Sequence, residues 1–355
     1  MEGPRGGGGG GSRVPFGGGG LAPPSYTSPS GPPSEEEVWV AAVRDPAFGV
    51  LRESSEALCD AFLRGKLQSC SLDMRAAADD SQPYEDPSAE REEMENFATL
   101  ARATAPVTLG TLCSLIESAR SRLKKAAFDA ARAAAAGSAA SGPTAEGRDR
   151  ESLELDVVHE SLFWLVTMAG YALADSDGSG TYHRGEIPPL LNALSRHAAK
   201  SARSAAKAAA GPDAHPSVYG PKAEKHAISQ DPVARLGILC LATAGGETTR
   251  AEQGGAAQST ASPVLASRCL WFLRRWVAAY VCSRSEEGGA GGRGGSDSGT
   301  LFSLYVAEEK AGGGPLGTPA GARDVVSFLV RSACVGASRW CDEEDVVEEA
   351  VGLLR

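Results

Sequence analysis

The chain has few aromatic residues and no long apolar run. Aromatic residues make up 6% of its 355 residues, and no stretch reaches the roughly 20 apolar residues that a membrane span needs. The glycine-rich N-terminus also lacks the apolar segment of a secretory signal. We therefore expect a soluble intracellular protein without membrane insertion.

The sequence also lacks the motifs that would indicate an enzyme or a metal protein. There is no GxSxG, Walker loop, HExxH or GxGxxG after a strand. The eight cysteines form no CxxC pair, and no histidine stands at metal-ligand spacing from them. We expect no catalytic residues and no cofactor, and we interpret the cysteines as reduced thiols in a helical core.

Glycine and proline are abundant, with 43 and 21 residues, but they are concentrated in particular segments. Residues 1–36 are rich in Gly, Pro and Ser and hold too little apolar surface to offset the entropy of ordering, which predicts disorder. The formal net charge of −10 argues against binding nucleic acid through its phosphates.

From Val38 onward the apolar spacing predicts helices and supports no sheet. Leu265, Cys269, Phe272, Trp276 and Tyr280 step by three or four and define one buried stripe. Residues 161–174 are apolar nearly all round, which predicts a buried helix. The nine predicted helices span about 49–68, 89–104, 106–136, 151–174, 187–209, 229–243, 262–283, 321–338 and 342–354.

Successive helices with glycine-rich inserts between them indicate an all-α, HEAT-like α-solenoid of stacked antiparallel helix pairs over residues 37–355. Loops between stacked helices tolerate such inserts at little cost. No consensus repeat is visible, so on these grounds a plain helical bundle remains an alternative.

The most specific local motif is an EF-hand-like loop over residues 175–186. Asp175, Asp177, Ser179 and Glu186 occupy positions 1, 3, 5 and 12, which is the spacing of oxygen ligands for calcium. Tyr182 at position 8, the prolines after Glu186 and the lack of a second loop favour a simple connector rich in turn residues. Both interpretations stay open.

Three polar features can be interpreted either as purely structural or as functional. A basic run on one helix face is typical of a solvated surface, although an anionic partner also fits it; it comprises Arg196, Lys200, Arg203 and Lys207. His159 is expected to be a structural histidine rather than a general base. Arg275 follows Trp271 by four residues, a spacing that suits a cation–π contact. Arg268 lies seven residues before Arg275 and shares its helix face.

At the C-terminus, Asp342 is predicted to cap a helix with an acidic first turn. The predicted apolar face of that helix comprises Val347, Ala350, Val351 and Leu354. We expect a further helix, missing from this chain, to cover it.

Four colinear blocks resemble the exportin-4 family. The first runs from Leu153 to Leu194 and matches a Trp-containing helix, a GxxLxD turn and a GExP segment at Trp164, Gly170, Leu173, Asp175, Gly185, Glu186 and Pro188. The second is similar to a WFLxRW helix at Trp271, Phe272, Leu273, Arg275, Trp276 and Tyr280. The third block, residues 324–354, is similar to a family helix pair with a Trp before an acidic helix start, and weaker similarity covers residues 93–123.

This resemblance implies a HEAT-repeat receptor of the importin-β superfamily that carries folded protein cargo out of the nucleus. It implies binding to Ran-GTP and to nuclear pore proteins, and shuttling between nucleus and cytoplasm. The similarity covers about 51–355, the middle of a longer family chain, so no residue is assigned as a Ran or cargo ligand. The alternatives are a calcium-binding module and a helical scaffold without a transport role.

Overall fold

A computed structural model describes residues 46–76, 87–135, 145–176, 185–210, 231–253, 260–281 and 322–355. The predicted disordered segment 1–36 lies outside these residues. The described part is all-helical apart from short connections, with nine helices: α1 (Pro46–Ala76), α2 (Pro87–Ala103), α3 (Ala105–Ala135), α4 (Ala145–Leu173), α5 (Pro189–Ala210), α6 (Pro232–Gln253), α7 (Pro263–Trp276), α8 (Ala322–Arg339) and α9 (Glu344–Leu354).

Each predicted helix has a counterpart, but several predicted ends are wrong. The helix predicted over 49–68 continues to Ala76, and the one predicted over 151–174 begins at Ala145. Helix α6 continues ten residues past the predicted end at Thr243, because Glu247, Thr248 and Ala251 are buried by packing that outweighs the two glycines at 245 and 246. The all-helical prediction is confirmed for the described residues, whose one exception is a two-residue antiparallel pair of β1 (Asp175–Ser176) and β2 (Gly185–Glu186).

The start of α7 illustrates how sequence sets a helix boundary. Ser262 is the N-cap, its side chain accepts a hydrogen bond from Leu265 N at 3.3 Å, and Pro263 occupies the first helical turn. A π-helical turn, Val277–Val281, extends the helix. The five residues of the predicted stripe are at most 3% exposed, so this prediction is confirmed.

Three consecutive helix pairs account for much of the packing. Helix α3 packs against α4, α6 against α7, and α8 against α9. The first members also contact one another in order, α3 with α6 and α6 with α8, and the second members do the same, α4 with α7 and α7 with α9. Helices α1 and α2 pack against α4 and against each other.

Helix α4 lies at the centre of the hydrophobic core, as predicted for residues 161–174. Leu162, Val166, Met168 and Ala169 have no exposed surface, and they belong to one continuous cluster that includes residues of α1, α3, α6 and α7. A smaller cluster joins α7 to the last pair and contains Leu270, Ala333, Val346 and Ala350.

The last helix differs from its prediction in cap and face. Glu343, not Asp342, is the N-cap of α9, and it makes no side-chain capping hydrogen bond. The buried positions are Val346 and Ala350, whereas Val351 and Leu354 are 40% and 54% exposed. The face is offset from the predicted one because α7 and α8 contact α9 along the Val346 side.

The cysteine prediction is correct for the core but wrong for the C-terminal pair. Seven cysteines lie among the described residues and all are free thiols. Cys59, Cys70, Cys113, Cys240 and Cys269 are buried, but Cys334 and Cys341 are exposed. Burial raises the pKa of Cys113 to about 12, so this thiol is protonated and unreactive at neutral pH.

In the residues whose placement is described, no single helix is long and apolar enough to cross a membrane. The helices on either side of Thr104 have that length and apolar character only when taken together, and the two are bent by 117° relative to each other.

Replacing Gly170 with alanine is expected to destabilise the protein by about 1–2 kcal/mol. A Cβ atom at this position would overlap Cζ3 of Trp271, and the cost of this overlap exceeds the gain in helix propensity. Gly110→Ala is the matched control, because nothing lies within 4 Å of its Cβ position, and it should stabilise by about 0.5–1 kcal/mol. Urea unfolding measures both, and a stabilised Gly170→Ala variant would contradict this packing.

Candidate functional site

The C-terminal end of α4 is held by side chains from two other helices. The last carbonyl groups of a helix have no partner within the helix itself. Arg102, in the last turn of α2, donates from Nε to the carbonyl oxygen of Ala172 at 2.9 Å and from Nη2 to that of Ala174 at 3.3 Å. A cation placed here also interacts favourably with the helix dipole.

Arg275 of α7 supplies a second guanidinium at the same helix end. Its Nε donates to the carbonyl oxygen of Gly170 at 3.0 Å, and its Nη2 donates to that of Ala174 at 2.6 Å. The guanidinium lies 4.7 Å from the ring centroid of Tyr171 and 5.5 Å from that of Trp271. The cation–π contact predicted for Arg275 and Trp271 is therefore confirmed.

The π-helical turn after α7 brings a third donor to this end of α4. Tyr280 donates its hydroxyl hydrogen to the carbonyl oxygen of Leu173 at 2.8 Å and stacks on Trp276, with ring centroids 6.2 Å apart. Burial raises the pKa of Tyr280, so the phenol stays a hydrogen-bond donor at physiological pH. We call Arg102, Arg275, Tyr280 and the last turn of α4 the arginine cap.

The arginine cap fixes the base of the EF-hand-like loop. The carboxylate of Asp175 forms an ion pair with the guanidinium of Arg102, and the backbone of Asp175 pairs with that of Glu186 across β1 and β2. The two ends of the loop are thus held together by backbone pairing, and the first end is also held by the ion pair with Arg102.

The structure describes part of the predicted calcium site. It places the side chain of Asp175 and the backbone of Glu186, whereas Asp177 and Ser179 lie outside the described residues. Within the described ranges, no group of three or more His, Cys, Asp or Glu side chains is arranged to hold a metal ion. The calcium interpretation therefore stays a prediction. The carboxylate of Asp175, one of its proposed ligands, already forms an ion pair with Arg102.

Titration with calcium is expected to give no binding heat up to about 1 mM, above the range of EF-hand sensors. Arg102 neutralises Asp175, and the next helix begins at Pro189, after an extended Glu186, whereas an EF-hand loop runs directly into its second helix. Calorimetry on the whole chain makes the measurement. Binding heat that disappears in Glu186→Gln would establish the calcium module instead.

A row of cation–π contacts runs across α1, α4 and α7. Lys66 Nζ lies 4.3 Å from the ring centroid of Trp164, and the guanidinium of Arg268 lies 4.3 Å from that of Phe163 and 5.0 Å from that of Trp271. These contacts join the helices that carry them, and each adds about 0.5–2 kcal/mol.

Sequence reasoning missed the roles of Arg102 and Lys66. Their partners lie far along the chain, since Arg102 contacts residues about 70 positions away. A basic residue in the last turn of α2 was visible, but it predicts an interaction with its own helix rather than with α4.

His159 is a structural histidine, as expected. It is 8% exposed, and its Nε2 lies 3.1 Å from the carbonyl oxygen of Thr260. Burial, together with the positive charge of Arg250, lowers its pKa to about 4. The neutral imidazole joins α4 to the segment before α7.

The free energy of unfolding should depend on pH through the titration of His159. Its folded-state pKa of about 4 lies below the reference value of 6.5, so the unfolded chain binds the proton first as pH falls. The stability that the neutral ring contributes is fully present above pH 6.5. The free energy of unfolding should fall by about 3 kcal/mol as the pH drops from 6.5 to 4. Urea unfolding of wild type and His159→Gln across this range measures it. Parallel pH profiles of the two proteins would contradict the assignment.

The basic run of the sequence lies within helix α5. Arg196 is partly buried and His197 is exposed, while the side chains of Lys200, Arg203 and Lys207 lie outside the described set. Ser195 anchors the helix by donating to Asp231 Oδ2 at 2.6 Å, and Asp231 Oδ1 accepts from Val233 N at 2.9 Å. Helix α5 contacts α2 and α6 and stands outside the three consecutive pairs.

The chain matches no protein-family model and no curated protein. The resemblance to the exportin-4 family therefore stays a prediction from the sequence.

Proposed function

We propose that the described helices form a HEAT-like α-solenoid that acts as a binding scaffold for proteins. The ordered contacts of α3, α6 and α8, and of α4, α7 and α9, support this arrangement. In a solenoid each helix pair contacts its neighbours, and the stack presents a long surface to partners. Helix α5 is then an insertion between the second and the third helices of the stack, α4 and α6.

Within this proposal the chain is a segment of an exportin-4-like nuclear transport receptor. It binds Ran-GTP, folded protein cargo and nuclear pore proteins, shuttles between nucleus and cytoplasm, and acts without a catalytic step or a cofactor. The observation that carries the proposal is the arginine cap. It joins the two strongest blocks of resemblance, because Arg275 bonds the Gly170 carbonyl and Tyr280 bonds the Leu173 carbonyl.

Binding to Ran in its two nucleotide states tests the transport role. The purified chain is titrated with Ran loaded with a non-hydrolysable GTP analogue, and with Ran loaded with GDP as the control. We expect binding to the GTP form alone, and tighter binding when cargo is present, because the two ligands are linked.

Two results would contradict this role. Equal affinity for both nucleotide forms would remove the nucleotide dependence on which transport rests. No binding to either form by a chain that is helical by circular dichroism would leave a helical scaffold without a transport role.

A further inference from the structure

The last helix pair, α8 and α9, presents exposed apolar side chains in two rows. On α8 these are Val326, Val330 and Cys334, four residues apart, and the two valines are 59% and 44% exposed. On α9, Val351 and Leu354 are 40% and 54% exposed. Residues three or four apart share one helix face, so each helix carries one continuous row. We call these five residues the apolar strip.

The two rows lie on the same side of the helix pair. On α8, Ser332 bonds to a side chain of α6, and at 100° per residue Val330 points about 160° away from Ser332. On α9, Glu349 forms an ion pair with Arg274 of α7, and Val351 points about 160° away from Glu349. Since α6 and α7 form the neighbouring pair, the apolar strip faces away from the rest of the described helices.

Acidic side chains border the apolar strip on α9. Glu344 and Glu348 are exposed. They precede Val351 by seven and three residues, so they lie along one edge of its row. The turn before α9 adds Asp342 and Glu343, which are also exposed. The strip is therefore apolar along its centre and negatively charged along one edge.

We propose that the apolar strip is a docking groove for an amphipathic helix of a partner protein, and that this helix has a basic edge. The apolar side of the partner helix covers the exposed valine and leucine side chains and removes them from water. Its lysine or arginine residues, one turn apart, lie opposite Glu344 and Glu348. This surface is additional to the proposed transport role and does not depend on it.

The charges around the strip disfavour other occupants. A second copy of the chain would bring another acidic edge and another net charge of −10 to the surface. Anionic lipid and nucleic acid are repelled by the same edge. A basic amphipathic helix matches both the apolar centre and the acidic edge.

Fluorescence anisotropy of the whole chain with a labelled helical peptide tests the charge match. The peptide of about 15 residues carries a leucine stripe of helical spacing and lysines along one edge of it. In the control peptide glutamates replace the lysines, and we expect it to bind about tenfold more weakly or worse. Binding of the lysine peptide should weaken only in part between about 50 and about 300 mM NaCl, because its apolar contacts are not screened. No binding at the lower salt concentration would overturn the proposal.

Substitution of one exposed valine locates the apolar contact. Val330→Ser removes apolar surface from the centre of the strip and should weaken binding of the lysine peptide about fivefold or more. The matched control is Val107→Ser on α3, a valine that is 49% exposed, and it should change the affinity by less than about twofold. Equal effects of the two variants would overturn the proposal.

Neutralising the acidic edge locates the charge contact. Glu344→Gln combined with Glu348→Gln should weaken binding of the lysine peptide about threefold or more. The control is Glu53→Gln with Glu92→Gln, two exposed glutamates of α1 and α2 that undergo the same change of charge. Equal weakening by the control would show that net charge alone determines binding. Circular dichroism verifies that the helices persist in each variant.

The two exposed cysteines report on the surface directly. Cys334 lies in the apolar strip, whereas Cys341 lies in the turn after α8, outside it, and both thiols are exposed. Alkylation followed by mass spectrometry should modify both in the free chain, and saturating lysine peptide should slow the reaction of Cys334 about fivefold or more while that of Cys341 changes little.

Three outcomes of this labelling would overturn the proposal. Equal slowing of both thiols, or of neither, would place the peptide elsewhere. Slow reaction of Cys334 without peptide, at a rate that falls as the protein concentration rises, would assign the strip to a second copy of the chain. Slow reaction that is independent of concentration would show that another part of the same chain covers it.

Discussion

Arg275→Ala is expected to lower the free energy of unfolding by about 3 kcal/mol or more. Arg275 is 7% exposed, and its guanidinium supplies hydrogen bonds to the carbonyl groups of Gly170 and Ala174. The substitution leaves these acceptors with fewer donors and removes a cation from a helix C-terminus. It also opens space beside Trp271. Chemical denaturation followed by circular dichroism measures the change.

Two other arginine variants make this result specific. Arg275→Lys keeps the charge but has no planar fork of donors, so it should recover only part of the loss. Arg268→Ala removes a guanidinium whose nearest carboxylate, on Glu90, is 3.7 Å away and whose side chain is 20% exposed. Because Arg268 also lies over the rings of Phe163 and Trp271, its loss should cost about 1–2 kcal/mol, still less than the loss of Arg275. Equal effects of the two alanine variants would show that the arginine cap has no special role.

Val346→Asp should detach the last helix pair while the rest of the protein stays folded. Val346 is 1% exposed and packs with Leu270, Ala333 and Ala350. A buried carboxylate without a partner costs several kcal/mol. In a stack of helix pairs this cost is confined to α8, α9 and their contacts with α6 and α7. We expect the amides of α8 and α9 to lose hydrogen-exchange protection, while those of α3 and α4 keep it.

The control for this variant is Val351→Asp on the same helix. Val351 is 40% exposed, so the new carboxylate stays hydrated and should change stability by about 0.5 kcal/mol or less. Loss of protection in α3 and α4 of Val346→Asp would show that the helices form one cooperative unit.

The sequence predicted helices well because their signals are local. The three- and four-residue spacing of apolar positions in α7 located the buried stripe, and Ser262 with Pro263 marks the start of that helix. The predicted end of α6 failed because glycines at 245 and 246 suggest a break, whereas contacts with α8 keep the helix continuous.

The sequence predicts only some of the contacts in the arginine cap. Arg275 and Trp271 are close along one helix, so their contact follows from spacing alone. Arg102 and Tyr280 reach α4 from other elements, and no periodicity encodes such distant partners. For the same reason, the sequence does not predict the ion pair between Asp175 and Arg102.

Native-state hydrogen exchange of the wild-type chain at rising urea concentrations tests the proposed stack most directly. Because each pair depends on its neighbours alone, we expect α8 and α9 to exchange through an opening of lower free energy than that of α3, α4 and α7. A single opening free energy shared by all nine helices would contradict the stack and indicate one cooperative bundle.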